Sequence, residues 1–174
     1  MDWPLPAPAL AVHATCLVLG EAGILIRGES GTGKSSLAVA LLDRARQEGG
    51  YGALVGDDRI GLMPHHGRIV ARGHPTLRGL IEIRGMGLVE ASPLADAAVI
   101  RLVVDLVGTL PRLPDTPMDS VDLLGVAIRR IMLDRSIRDR ALAPGLVFDA
   151  LTRKASVAPR THLRTVSCEF GSPI

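Results

Sequence analysis

Eight consecutive residues constrain this chain more than any others: Gly28-Glu29-Ser30-Gly31-Thr32-Gly33-Lys34-Ser35, a complete G-x-x-x-x-G-K-[ST] element. In such a loop the glycines let the backbone turn tightly and aim its N–H groups at phosphate oxygens. The lysine neutralises β- and γ-phosphate charge, here Lys34, and the hydroxyl of Ser35 is a magnesium ligand. The neighbours suit the element. A strand-like ILIR precedes it, and residues 36–46 carry Leu37, Ala38, Leu41, Leu42 and Ala45 at helical spacing. A strand, a Gly-rich loop and a helix N-terminus together predict a nucleoside triphosphate site over residues 28–36, Ser36 included. Hydrolases and kinases share this loop, so it does not choose between them.

Around it the chain reads as short strands and turns, an α/β pattern. Residues 12–19 and 23–27 are apolar runs separated by Gly20-Glu21-Ala22-Gly23, which predicts a hairpin. Residues 60–63 and 68–70 flank Pro64-His65-His66-Gly67 in a second. Ala53-Leu54-Val55 is a buried-strand candidate ending on Asp57-Asp58, and residues 99–107 form another. Prolines 111, 114 and 117 mark a loop; residues 121–133 are apolar without a clear period. Residues 145–154 read as a late helix with Pro144 at its start.

Composition removes several classes of function. At 174 residues and 47% hydrophobic content the chain suits one packed domain. A formal charge of +2 is too balanced for nucleic acid as the expected partner, and aromatics at 2% offer no stacking platform for bases. Charges, Gly or Pro interrupt every apolar stretch short of the roughly 18 residues a membrane helix needs. The N-terminus lacks a basic n-region, and two cysteines, Cys16 and Cys168, make no disulfide framework. A cytoplasmic protein with no membrane partner is the expectation. Of the 20 cationic residues only Lys34 and Lys154 are lysine.

Asp57 and Asp58 follow an apolar strand after the loop helix. One carboxylate of such a pair can hold Mg²⁺ and its neighbour can take a proton from an attacking hydroxyl; alternatively the pair merely opens a turn. His13, in an apolar run, reads by its local pattern as a core residue, and Cys16 as a small buried one. His65, His66 and His74 lack carboxylate or thiolate partners at ligand spacing. In Leu77-Arg78-Gly79-Leu80-Ile81-Glu82-Ile83-Arg84-Gly85-Met86-Gly87, burial of Ile81 and Ile83 in a strand would put Glu82 and Arg84 on one face.

Taken together, His13 before the loop, GDD after its helix and LRGLIEIRGMGL resemble the C-terminal catalytic domain of the HPr kinase/phosphorylase family, over roughly residues 9–113. The resemblance implies a P-loop kinase domain akin to that of phosphoenolpyruvate carboxykinase, a mixed β-sheet with flanking helices. It implies ATP and Mg²⁺ as cofactors, a serine of the phosphocarrier protein HPr as acceptor, and a homo-oligomer, typically a hexamer. Carried over by motif, Lys34 and the backbone of residues 28–35 bind the triphosphate, and Ser35 and Glu82 ligate Mg²⁺ with Asp57 beside them. Asp58 is the proton acceptor, accompanied by Asp57 and His13, and Arg112 matches a catalytic arginine. The expected layout is an extended lead-in over 1–10, the catalytic domain over 11–155 and a partly disordered tail over 156–174. Only twelve residues precede His13, which suits a short, single-domain form.

The sequence departs from the family in three places. Ser36 stands where an acidic residue usually follows the loop serine, which removes a carboxylate from the metal's neighbourhood. Residues 47–52 lengthen the path to Asp57. The family's PVRPGRN-like loop, tied to phosphorolysis, is not recognisable, and its region holds the arginine-rich run 129–140, either a solvated face or a protein contact. Two alternatives accompany the kinase reading: a relative of the same fold acting on another protein or metabolite, and an ATP-sensing module that transfers nothing.

Overall fold

The computed structural model describes residues 9–110, 119–139 and 141–152. Strands β1 (Leu10–Leu19) and β2 (Ala22–Gly28) form the first hairpin, antiparallel, with Cys16 opposite Leu25. Helix α1 (Lys34–Gln47) and strand β3 (Gly52–Gly56) follow. Next come the hairpin of β4 (Arg59–His65) and β5 (Arg68–Gly73) and a small separate hairpin of β6 (Leu80–Ile83) and β7 (Gly87–Glu90). Strand β8 (Ala98–Leu106) precedes the hairpin of β9 (Ser120–Leu123) and β10 (Val126–Leu133), and α2 (Arg135–Asp139) and α3 (Ala143–Thr152) end the described chain.

The main sheet is mixed. β2 and β10 both run parallel to β8, whereas β1 is antiparallel to β2, β3 and β4. Pairing of β2 with both β1 and β8 closes a ring through β4 and β5. Both faces of these strands are covered, which explains why they read as continuous apolar runs rather than as alternating ones. Leu17, Ile24, Ile26, Leu102 and Val104 pack beneath Leu37 and Leu41 of α1 and Val147 of α3. Their neighbours Cys16, Val18, Leu25 and Val103 turn the other way, onto Ile60, Leu62 and Ile69. Cys16 is thus a core residue, and burial pushes its thiol far above the ordinary range.

One irregularity of β1 positions the chemistry. Its first residues pair with β4, ending at His13 opposite Arg59, and its last pair with β3, starting at Cys16 opposite Gly56. Ala14 and Thr15 therefore face the linker Asp57-Asp58, and the Ala14 amide donates to the Asp58 carbonyl (3.3 Å). Beside this fork β3 and β5 approach closely. A Cβ at Gly73 would stand 2.3 Å from the Val55 carbonyl oxygen, backbone that cannot move aside cheaply. Gly73→Ala should cost about 1–3 kcal/mol, read as a lower urea midpoint at unchanged slope.

Three expectations shift. Pro64 and His65 belong to β4, so the second turn narrows to His66-Gly67. Residues 121–133 are neither one helix nor one strand but the β9–β10 hairpin, turning at Leu124 and Gly125 with φ of 52° and 80°. Leucine at a left-handed position carries no turn signal, which is why the pattern hid it. The arginine-rich run divides between β10 and α2, and several of its side chains are tied to the body of the fold. Arg138 donates to the carbonyls of Val107 (2.9 Å) and Leu133 (2.8 Å), and Arg129 to that of Ala150. Among the described residues no helix is long and apolar enough to cross a membrane.

Candidate active site

The phosphate loop is carried between β2 and α1, as its motif demands. The strand end is fixed from the side: Arg27 donates through Nε and Nη2 to both carboxylate oxygens of Asp105 on β8, at 2.7 and 2.8 Å. This pair lies immediately before Gly28 and clamps the loop's entry to the sheet. Within the loop, Thr32 Oγ1 donates to the Glu29 carbonyl (2.8 Å). No side chain caps α1, whose N-cap is Gly33, so the helix's first amides face the loop's concavity. Lys34 is buried, and its Nζ donates to the carbonyls of Gly28 (2.9 Å) and Glu29 (3.0 Å). Burial lowers the affinity of this ammonium for its proton, and the charges of Asp57 and Asp58 partly oppose the shift.

Asp57 is the hub. Its Oδ1 accepts from Thr15 Oγ1 (2.6 Å), and its Oδ2 accepts from Ser35 Oγ (2.9 Å) and from the Glu82 amide (3.1 Å). Three elements, β1, α1 and β6, thus converge on one buried carboxylate. Thr15 is itself fully buried. Sequence reasoning missed it, although period-two alternation in β1 sets Thr15 on the face of His13 and would have found it. Asp58 takes φ 68°, a left-handed conformation that Asp tolerates better than most residues. Its Oδ1 lies 3.3 Å from His13 Nε2, with both side chains at least half exposed.

These groups open onto one cavity of about 230 Å³. Its walls carry His13 from β1, Asp57 and Asp58 from the fork, Lys34, Ser35 and Ser36 from α1, and Glu82 from β6. Arg84 also lines it, on the same cavity as Glu82, but it reaches there from the turn after β6 rather than as the strand's next same-face residue. Its guanidinium lies over the loop: a Cβ at Gly31 would meet Arg84 Nη2 at 2.6 Å. Gly31, at φ 77°, is thus favoured by its left-handed conformation, and any side chain there would displace the Arg84 guanidinium. Glu29 is exposed at the loop's rim, with only its carbonyl engaged. Arg112 lies outside the described residues. Ser35 Oγ, the Asp57 carboxylate and the Glu82 carboxylate form a set of hard oxygen donors beside a triphosphate cradle, the chemistry that suits Mg²⁺.

Known proteins resemble this chain over most of its length. The sequence profile of the HPr Serine kinase C-terminal domain matches residues 6–134. The chain belongs to that family. Among curated members, the HPr kinase/phosphorylase of Mycoplasma mycoides is 35% identical over 121 residues, covering 68% of this chain and 37% of that protein. The HPr kinase/phosphorylase of Cupriavidus necator is 36% identical over 143 residues, covering 74% of this chain and 41% of that one. The chain therefore spans less than half the length of these family members. The solved Hpr(Ser) kinase/phosphatase from Coxiella burnetii superposes with a TM-score of 0.68 at 27% identity, over 82% of this chain and 96% of that one. A P-loop kinase fold, with a mixed sheet and flanking helices, is common to both.

Proposed function

We propose that this chain is an ATP- and Mg²⁺-dependent protein-serine kinase whose acceptor is a small HPr-like phosphocarrier. The observation that carries the reading is the convergence of Lys34, Ser35 and the Asp57-Asp58 pair on one cavity, with Asp58 beside His13 and open to solvent. A loop that only sensed nucleotide would need no exposed carboxylate facing the phosphates. Ser35 and Glu82, with Asp57 behind Ser35, are the groups that would hold Mg²⁺. When bound, that ion neutralises charge on the β- and γ-phosphate oxygens.

The chain's own residues account for the remainder. Lys34 and the loop amides orient the triphosphate, and positioning of this kind supplies much of the rate in phosphoryl transfer. Asp58 accepts the proton of the seryl hydroxyl as its oxygen bonds to the γ-phosphorus, and the bond to the bridging β-oxygen breaks to release ADP. His13, 3.3 Å from Asp58, holds that carboxylate toward the incoming hydroxyl. Arg84, over Gly31, supplies a further cation at the phosphate end.

Mg-ATP and HPr should give a single phosphoserine by mass-spectrometric mapping. Phospho-HPr with inorganic phosphate should release little pyrophosphate, because the PVRPGRN-like loop is not recognisable. An HPr left unmodified across a full range of ATP would refute the acceptor, and turnover on another protein or metabolite would favour the second kinase reading. The lowered proton affinity of Lys34 adds an independent check. Its folded value lies below the ordinary 10.5, so in the alkaline range beneath 10.5 the free protein carries Lys34 partly neutral. A bound polyphosphate favours the ammonium, so binding there should take up protons, seen as a calorimetric enthalpy that changes with the buffer's ionisation heat. Equal enthalpies in all buffers would contradict it.

A further inference from the structure

A second cavity lies against the phosphate loop and takes no part in the chemistry above. It has a volume of about 680 Å³ and shares Ser30, Gly31, Gly33, Ser36 and Arg84 with the first. The two therefore adjoin across the loop and differ sharply in character. The smaller one holds Asp57, Asp58 and Glu82; the larger holds none of them. Its walls come from three helices. Leu37 and Ala40, one turn apart on α1, form one side, and Ala143 and Pro144 at the start of α3 form the other. Arg135, Arg138 and Asp139 of α2 complete it, and Arg138 is pinned by its bonds to the Val107 and Leu133 carbonyls.

Size and chemistry assign the two cavities to two parts of one ligand. Pockets that enclose drug-sized ligands run from about 300 to 1,000 Å³ and are mainly apolar with a few placed polar groups. The larger cavity falls in that range and the smaller, at about 230 Å³, does not. A triphosphate whose γ end lies among Asp58, Lys34 and Ser35 must leave the loop at its α end. The side away from Asp57, Asp58 and Glu82 is the one on which charge favours that exit, past Arg84 and towards Arg135 and Arg138, which outnumber Asp139 there. We propose that the second cavity is the nucleoside subsite, with the base held between the Leu37–Ala40 face of α1 and the first turn of α3. This rests on the reading of residues 28–36 as a triphosphate site. In this arrangement α2 and α3 are part of the nucleotide site, although the family match stops at residue 134.

Ala40→Phe fills the cavity from a half-buried position on α1, outside the loop itself. Calorimetric titration of wild type and variant with ADP and with inorganic pyrophosphate separates the two parts of the ligand. The variant should bind ADP at least about tenfold more weakly, because a displaced base loses its apolar contacts, and pyrophosphate within about twofold of wild type. ADP affinity unchanged in a folded variant overturns the subsite alone. A wild type that binds neither ADP nor pyrophosphate overturns the triphosphate site and the subsite with it. Photolabelling of the wild type with 8-azido-ATP needs no variant. Label should appear in the tryptic peptides 35–44 and 141–153; label confined to 47–59, which carries Asp58, would put the base on the other side of the loop and sink the proposal.

Discussion

Asp57→Ala is expected to abolish phosphotransfer and to destabilise the fold at the same time. The carboxylate accepts from Thr15, Ser35 and the Glu82 amide. Its loss leaves the fully buried Thr15 hydroxyl without its acceptor, at a cost of about 1–3 kcal/mol for the stranded donor alone. It also frees the Ser35 hydroxyl and the strand that carries Glu82, the two groups proposed to hold Mg²⁺. Lys34 loses a neighbouring negative charge that sustains its ammonium, so its proton affinity falls further. Asp57→Asn separates these effects. Asparagine keeps one carbonyl oxygen and can accept from Thr15, which restores part of the stability. Its amide nitrogen cannot accept from Ser35, so activity should stay depressed by at least about a hundredfold. Chemical denaturation and initial rates, measured on both variants, give the two numbers. An Asn variant that recovered activity along with stability would mean that Asp57 is a structural hub only.

The local parts of this site were legible and the long-range parts were not. Residues 28–35 name their own conformation, because glycines at turn positions, a lysine and a helix start lie within eight residues, and α1 begins at Lys34 as that pattern requires. The hairpin of β1 and β2 follows from two apolar runs and a Gly-rich turn. The meeting of His13 with Asp58 depends on the register of β1 against both β3 and β4, across more than forty residues of chain. Local pattern therefore left His13 as a core residue, and resemblance alone pointed to its place in the site. Thr15 belongs with it: the period of β1 sets it on the face of His13, but the meeting of that face with Asp57 depends on the same long-range register. The larger cavity was equally hidden, since it needs α2 and α3 folded back onto α1.

The same physical logic explains how the arginines are used. With lysine nearly absent, guanidinium groups secure the scaffold: Arg27 clamps the strand before the loop, Arg138 ties α2 to two strand ends, and Arg44 lies over the ring of Phe148, 4.9 Å from its centroid. Planar, multidentate donors suit such fixing, whereas Lys34 is buried in the phosphate loop.

The most direct test of the account is Asp58→Asn, followed in a single turnover with excess enzyme, labelled Mg-ATP and HPr. Asp58 is exposed and contacts His13 from the fork, so the substitution removes a proton acceptor without unpairing the hub at Asp57. ATP binding should stay within about twofold of wild type, and phosphoserine formation should slow by about 10²–10⁴-fold. Transfer at the wild-type rate would show that Asp58 is not the base and would contradict the mechanism.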